Sequence, residues 1–134
     1  MLFWSACVLL AGPLAWVIAR AGFGLPVHAP LHDLALLALW SASEEIVFRG
    51  GLQPLLARRL APRPLAGVSA ANALTSVVFA AAHLPSHAWP VALGVFPISL
   101  ILGHALERSA RLWVPVALHL WFNAALYLVS WLQR

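Results

Sequence analysis

The sequence predicts an all-α fold: a polytopic membrane helix bundle of about five transmembrane helices forming a single domain over residues 1–134. Three observations carry that prediction. The chain is 63% hydrophobic and only 9% charged, where soluble domains run about 45–50% apolar and about 25% charged. Its mean hydropathy is +0.89. Its apolar residues fall in runs near the roughly 20 residues that cross a bilayer at 1.5 Å of rise each, separated by short connectors rich in Pro, Gly and Arg. So few charges cannot cover a water-exposed surface, which argues against a compact soluble domain.

The elements follow in order. Residues 2–19 make the first span, closed by Arg20, with Pro13 as a kink that neighbouring helices tolerate. A signal peptide is the rival reading, because "ARA" at 19–21 resembles a cleavage site. It lacks a basic leading region and carries Arg at that site. Cys7, the single cysteine, excludes an internal disulfide and reads as a small packing residue. "GFGLPVHAP" (22–30) is a loop, and the second span runs from about 31 to 57. "RRLAPRP" (58–64) is a basic turn. The third span covers about 66–84 and ends at "LPSHAWP", the fourth about 89–107, running into "ERSAR", and the fifth about 112–132.

The formal charge is +4, yet the basic residues are all Arg and sit mostly in connectors, not along one stripe. That pattern sets topology and gives no footprint for nucleic acid. Arg58, Arg59, Arg63, Arg108 and Arg111 fall on one side of the bundle, Arg20 and Arg134 on the other. The positive-inside rule assigns the first group, and with it the N-terminus, to the cytoplasm. The expected location is a prokaryotic inner membrane.

Against this apolar background, "SASEEIVFRGG" places Glu44, Glu45 and Arg49 inside the second span. Ionised residues cost about 2.5–3.5 kcal/mol each at a helix centre, so an uncompensated trio costs on the order of 8–10 kcal/mol. Partners are therefore required. At 100° per residue Glu45 and Arg49 lie about 40° apart and can pair, while Glu44 heads about 100° away from Glu45. The expectation is a structural ion pair plus a second acid aimed elsewhere.

Other intramembrane polar groups are His83, His104, and His119 with Asn123, the last two sharing a helix face at i, i+4. Each has a plain structural reading: His83 as an interfacial histidine before Pro85, His119 and Asn123 as hydrogen-bonding glue between helices, His104 as packing beside Arg108. Gathered around one wet pocket, a carboxylate, two imidazoles and a carboxamide can split an amide with water. The carboxylate takes the proton from water and the N–H groups hold the oxyanion. Two HxxxH spacings, His28–His32 and His83–His87, invite a zinc reading, but Pro30 and Pro85 are expected to spoil the i, i+4 helix that such a pair needs, and no HExxH is present. A metal held by Glu44, His83 and His119 is a minor alternative.

These residues resemble a known family. "EEIVFRG" resembles the EExxxR motif of the CAAX prenyl protease and bacteriocin-processing family, "FAAAHL" its FxxxH motif, and "LGHALERSARLWVPVALHLWFNA" its third block ending in HxxxN. Three motifs in order, over residues 36–126, make the resemblance specific. It implies a glutamate-dependent intramembrane endopeptidase of the type II CAAX-protease fold, with no required metal or other cofactor. On that resemblance Glu44 with His83 would activate the water, His119 and Asn123 would form the oxyanion site, Glu45 and Arg49 would brace the motif helix, and Phe79 would pack behind the site. The chain departs in having fewer spans than is common in the family, and Ala110 where a glycine is often seen.

The implied partners are the lipid bilayer and a membrane-associated protein or peptide substrate. A non-catalytic immunity or assembly protein, using the same polar residues structurally, is the competing class. A proton-coupled transporter is a third, cramped in five spans. The sequence leaves the substrate and the oligomeric state open.

Overall fold

The computed structural model describes residues 5–7, 9, 13, 31–60 and 67–132, which form helices joined by turns, with no β-strand. Most of the expected first span, the loop at 22–30 and a portion of the basic turn, with Arg20, His28, Arg63 and Arg134, lie outside the described residues. Cys7 is buried, as a packing residue should be.

The second expected span is one continuous helical stretch with three segments: α1 (Leu31–Glu45), a π-helical segment (Ile46–Leu52) and α2 (Gln53–Ala57). The π segment widens the helix just ahead of Pro54, which has no N–H to give to the preceding turn. The Gln53 N–H reaches back to the Phe48 carbonyl, five residues away.

Helix α3 (Ala70–Ala82) is shorter than the span expected over 66–84. Ser69 stops it at the start: its hydroxyl accepts from the Asn72 N–H at 3.0 Å and serves as N-cap. Thirteen residues rise about 20 Å, less than the roughly 30 Å hydrocarbon core. Helix α4 (Trp89–Ser109) has 21 residues and holds Pro97 in its interior. Among the described residues it alone is long and apolar enough to cross a membrane, the apolar stretches Ala70–Ala82 and Trp113–Val129 being shorter. Helix α5 (Trp113–Leu132) follows a tight turn.

The helices fall into two compact units, Ser43–Val116 and Met1–Ala42 with Ala117–Arg134. Within the first, α3 packs on α4 through small side chains. Ala71, Ser76, Ala92, Ser99, Gly103 and Ala105 are all buried, and small residues let membrane helices approach closely. A Cβ on Gly103 would overlap the Asn72 carboxamide and stand 2.9 Å from Gln53 Oε1.

The distribution of side chains is the reverse of a soluble protein's. Trp40, Ile46, Val47 and Trp89 are 58–68% exposed, whereas Glu45, Arg49, Asn72, Thr75, Ser76 and Ser99 are at most 1% exposed. An apolar exterior around a polar interior is what a bilayer solvent selects.

Two backbone features are testable. Ala110 ends α4 at φ 52°, ψ 25°, its N–H bonded to the Leu106 carbonyl at 2.8 Å. That left-handed cap is the position where glycine carries no Cβ penalty, which accounts for the glycine common in the resembled family. Ala110→Gly is expected to raise stability by about 1 kcal/mol, read as a higher unfolding temperature in detergent. Gly103→Ala should lower it by about 1–3 kcal/mol through overpacking, read in the same assay.

Candidate active site

Arg49 is the centre of the Ser43–Val116 unit. Its Nη1 donates to Glu45 Oε1 at 3.1 Å, with both side chains fully buried. Its Nη2 donates to the Ser99 carbonyl at 3.0 Å and to Ser99 Oγ at 2.6 Å. Its guanidinium also lies over the Phe79 ring, 4.5 Å from the centroid, a cation–π contact strengthened by desolvation. The pair expected from i, i+4 spacing is present, and a serine from α4 completes it.

The bonds continue beyond Arg49. Ser99 Oγ donates to Ser76 Oγ at 3.0 Å, and Ser76 Oγ to Asn72 Oδ1 at 3.2 Å. Asn72 Nδ2 donates to the Leu100 carbonyl at 3.0 Å. One turn beyond Arg49, Gln53 Nε2 donates to the Gly103 carbonyl at 3.1 Å and to Glu107 Oε1 at 3.0 Å, and Ser69 Oγ donates to the same Glu107 oxygen at 2.5 Å. Sequence reasoning missed Gln53, Ser69, Asn72, Ser76, Ser99 and Glu107. The signal that finds them is periodicity. Glu45, Arg49 and Gln53 repeat every fourth residue, as do Ser99, Gly103 and Glu107.

The π segment keeps the first of those stripes straight. Four residues overshoot one α-helical turn by 40°, so eight would carry Gln53 about 80° off the line of Glu45. A π turn closes on i→i+5 and four residues fall short of it, which offsets the drift. Glu45, Arg49 and Gln53 are accordingly all buried, at 0%, 1% and 2% exposure.

The FxxxH motif adjoins this network. Phe79 packs edge-on against Phe48 at 4.8 Å between centroids, and the His83 ring lies 4.8 Å from Phe79. Phe79 thus touches both Phe48 and His83. His83 caps α3, and its Nδ1 is 2.8 Å from the Phe79 carbonyl. A carbonyl only accepts, so this contact assigns the proton to Nδ1 and leaves the lone pair on Nε2. His83 is half-buried, as is Glu44 in the last turn of α1.

In the second unit, Asn123 Nδ2 donates to Ser41 Oγ at 2.8 Å, and Ser41 Oγ to the Leu37 carbonyl at 2.8 Å. His119, one turn before Asn123 on α5, is buried. His104 accepts from Arg108 Nε at 2.9 Å, which fits its reading as a packing residue beside that Arg. The helix ends ahead of Pro85, so His83 and His87 do not share a helix, as the proline predicts. Pro85 lies just past the end of α3, but the His87 N–H still donates to the His83 carbonyl at 2.9 Å, and the two rings stand 5.7 Å apart. Among the described residues no group of three or more metal-binding side chains occurs.

Residues 26–125 match the Type II CAAX prenyl endopeptidase Rce1-like family, and the chain belongs to that family. No curated protein and no solved structure matches it. Membership brings, at the level of the family, an endopeptidase of CAAX-protease type and a membrane protein acting on a peptide or protein.

The Arg49 network generates a stability prediction. Glu45→Gln or Arg49→Met alone leaves a buried charge without its counter-charge and is expected to cost about 3–5 kcal/mol. The double variant should cost clearly less than the sum. Denaturant or thermal unfolding in a fixed detergent measures all three.

Proposed function

We propose that this chain hydrolyses a peptide bond in a membrane-associated protein or peptide, using water activated by Glu44 and His83. Glu44 takes a proton from the water as its oxygen bonds to the scissile carbonyl carbon. His119 and Asn123 donate N–H groups to the resulting oxyanion. Collapse of that intermediate breaks the C–N bond, the proton passes to the leaving amine, and a carboxylate and an amine depart.

The observation that carries this reading is the contact between two motifs some thirty residues apart in the chain. Arg49 of EExxxR lies on Phe79 of FxxxH, and Phe79 supports His83 through both its ring and its carbonyl. A histidine held in one tautomer by its own helix is ready to handle a proton through its other nitrogen. Arg49 is occupied by Glu45 and Ser99, so it braces the helix of the neighbouring Glu44 and does not spend itself on substrate. Asn123 is held in orientation by Ser41, as an oxyanion donor must be.

In the proposed setting the protein lies in a prokaryotic inner membrane. The exposed Arg58, Arg59, Arg108 and Arg111 face the cytoplasm, and so does the N-terminus.

Glu44→Gln is expected to lower cleavage by about 10²–10⁴-fold with its unfolding temperature unchanged, and Asn123→Ala by about 10²–10³-fold, with about 1 kcal/mol of stability lost with its bond to Ser41. A candidate membrane peptide followed by mass spectrometry reads both. Full activity in purified Glu44→Gln contradicts the mechanism. Joint loss of folded protein and biological effect, with no product peptide, would instead favour a non-catalytic immunity or assembly role.

A further inference from the structure

The connector between α3 and α4 places beside His83 a second histidine, His87, that the proposed hydrolysis does not use. His83 and His87 stand with ring centroids 5.7 Å apart and ring planes 38° from each other. The helix ends at Ala82, and a single His87 N–H to His83 carbonyl bond at 2.9 Å closes the turn that carries both rings. His87 is exposed and His83 half-buried, so neither ring is sealed inside the protein.

The hydrogen bonds assign the ring nitrogens. His83 Nδ1 is committed to the Phe79 carbonyl at 2.8 Å. The Ser86 hydroxyl donates to the His83 carbonyl at 3.4 Å, so its oxygen accepts from His87 Nδ1 at 2.9 Å. Each imidazole thus keeps its lone pair on Nε2, and each Nδ1–H has an oxygen partner of the kind that orients metal-ligating histidines. Two imidazoles sharing one tetrahedral ion at Zn–N distances of about 2.0–2.1 Å put their centroids about 5 Å apart. The observed spacing is close to that, and a small χ rotation closes the difference.

The geometry points to a two-imidazole site, His83–His87, for a late first-row divalent cation such as Zn²⁺, with water filling the remaining positions. Two neutral nitrogens make the site reversible, and its affinities follow the order Cu²⁺ above Ni²⁺ and Zn²⁺. A consequence rests on the proposed role of His83: an ion bound there occupies Nε2, the atom needed in the reaction, so the metal is an inhibitor and His87 is the residue that admits it.

The test uses the full chain in lipid nanodiscs, purified without a polyhistidine tag. Zn²⁺ titration by calorimetry should show one site that weakens at least about tenfold in His87→Gln. Cu²⁺ paramagnetic resonance should show coupling to two nitrogens in the wild type and to fewer in His87→Gln and in a second variant, His87→Ala. Equal Zn²⁺ affinity and identical Cu²⁺ spectra in all three proteins would overturn the site. These readouts need no catalysis, so they stand apart from the fate of the proposed hydrolysis. In a cleavage assay Zn²⁺ should inhibit the wild type at concentrations that leave His87→Gln active. A wild type with its site saturated and its turnover unchanged would overturn the inhibitory role.

Discussion

A guanidinium that cannot reach water takes its partners from the protein, and that constraint organises the Ser43–Val116 unit; only Nε of Arg49 is left without a hydrogen bond. Arg49 is 1% exposed and carries five N–H donors in a fixed plane. Glu45 supplies the counter-charge, Ser99 supplies two oxygens, and Phe79 supplies a π face. These partners come from three stretches of helix, so holding one side chain fixes α3, α4 and the π segment against each other. A lysine could not substitute, because a point charge lacks the planar fork that reaches a carboxylate and a serine together.

The same demand explains features that look unfavourable one at a time. A helix interior with Gly50, Gly51 and Pro54 is a poor α-helix by propensity. It adopts a π turn, and that turn keeps Gln53 in line with Arg49 and Glu45 along the face that meets α4. Gly103 is bare because Asn72 and Gln53 approach its backbone, and the Gly103 carbonyl accepts from Gln53. Polar side chains join helices where apolar burial gives no driving force, since lipid tails are as apolar as leucine.

Hydropathy and helical geometry make the apolar helices, the Glu45–Arg49 pair and the divergence of Glu44 from Glu45 legible in the sequence alone. The remainder is hidden for physical reasons. Ser69, Ser76 and Ser99 hardly alter a hydropathy average, so their role as partners of buried polar groups emerges only from their spacing. The start of α3 is set by a serine cap inside an apolar run, which makes the expected span too long. Pro85 is legible as a helix breaker, and the helix does end before it, while the single i, i+4 hydrogen bond that spans the turn has no sequence signature. The π turn has no sequence signature beyond two glycines and a proline. Ala110 stands out as a departure from the family pattern, and its left-handed backbone shows why glycine is the commoner choice.

The central claim is the chemistry proposed for this family member: Glu44 and His83, from two helices of the Ser43–Val116 unit, act together on one water. Paired cysteines at 44 and 83, in a Cys7→Ala background, test it in native membranes with a short bifunctional thiol reagent. The account predicts efficient cross-linking of the pair. Absence of the cross-link, while each single cysteine still reacts with a membrane-permeant maleimide, would contradict it.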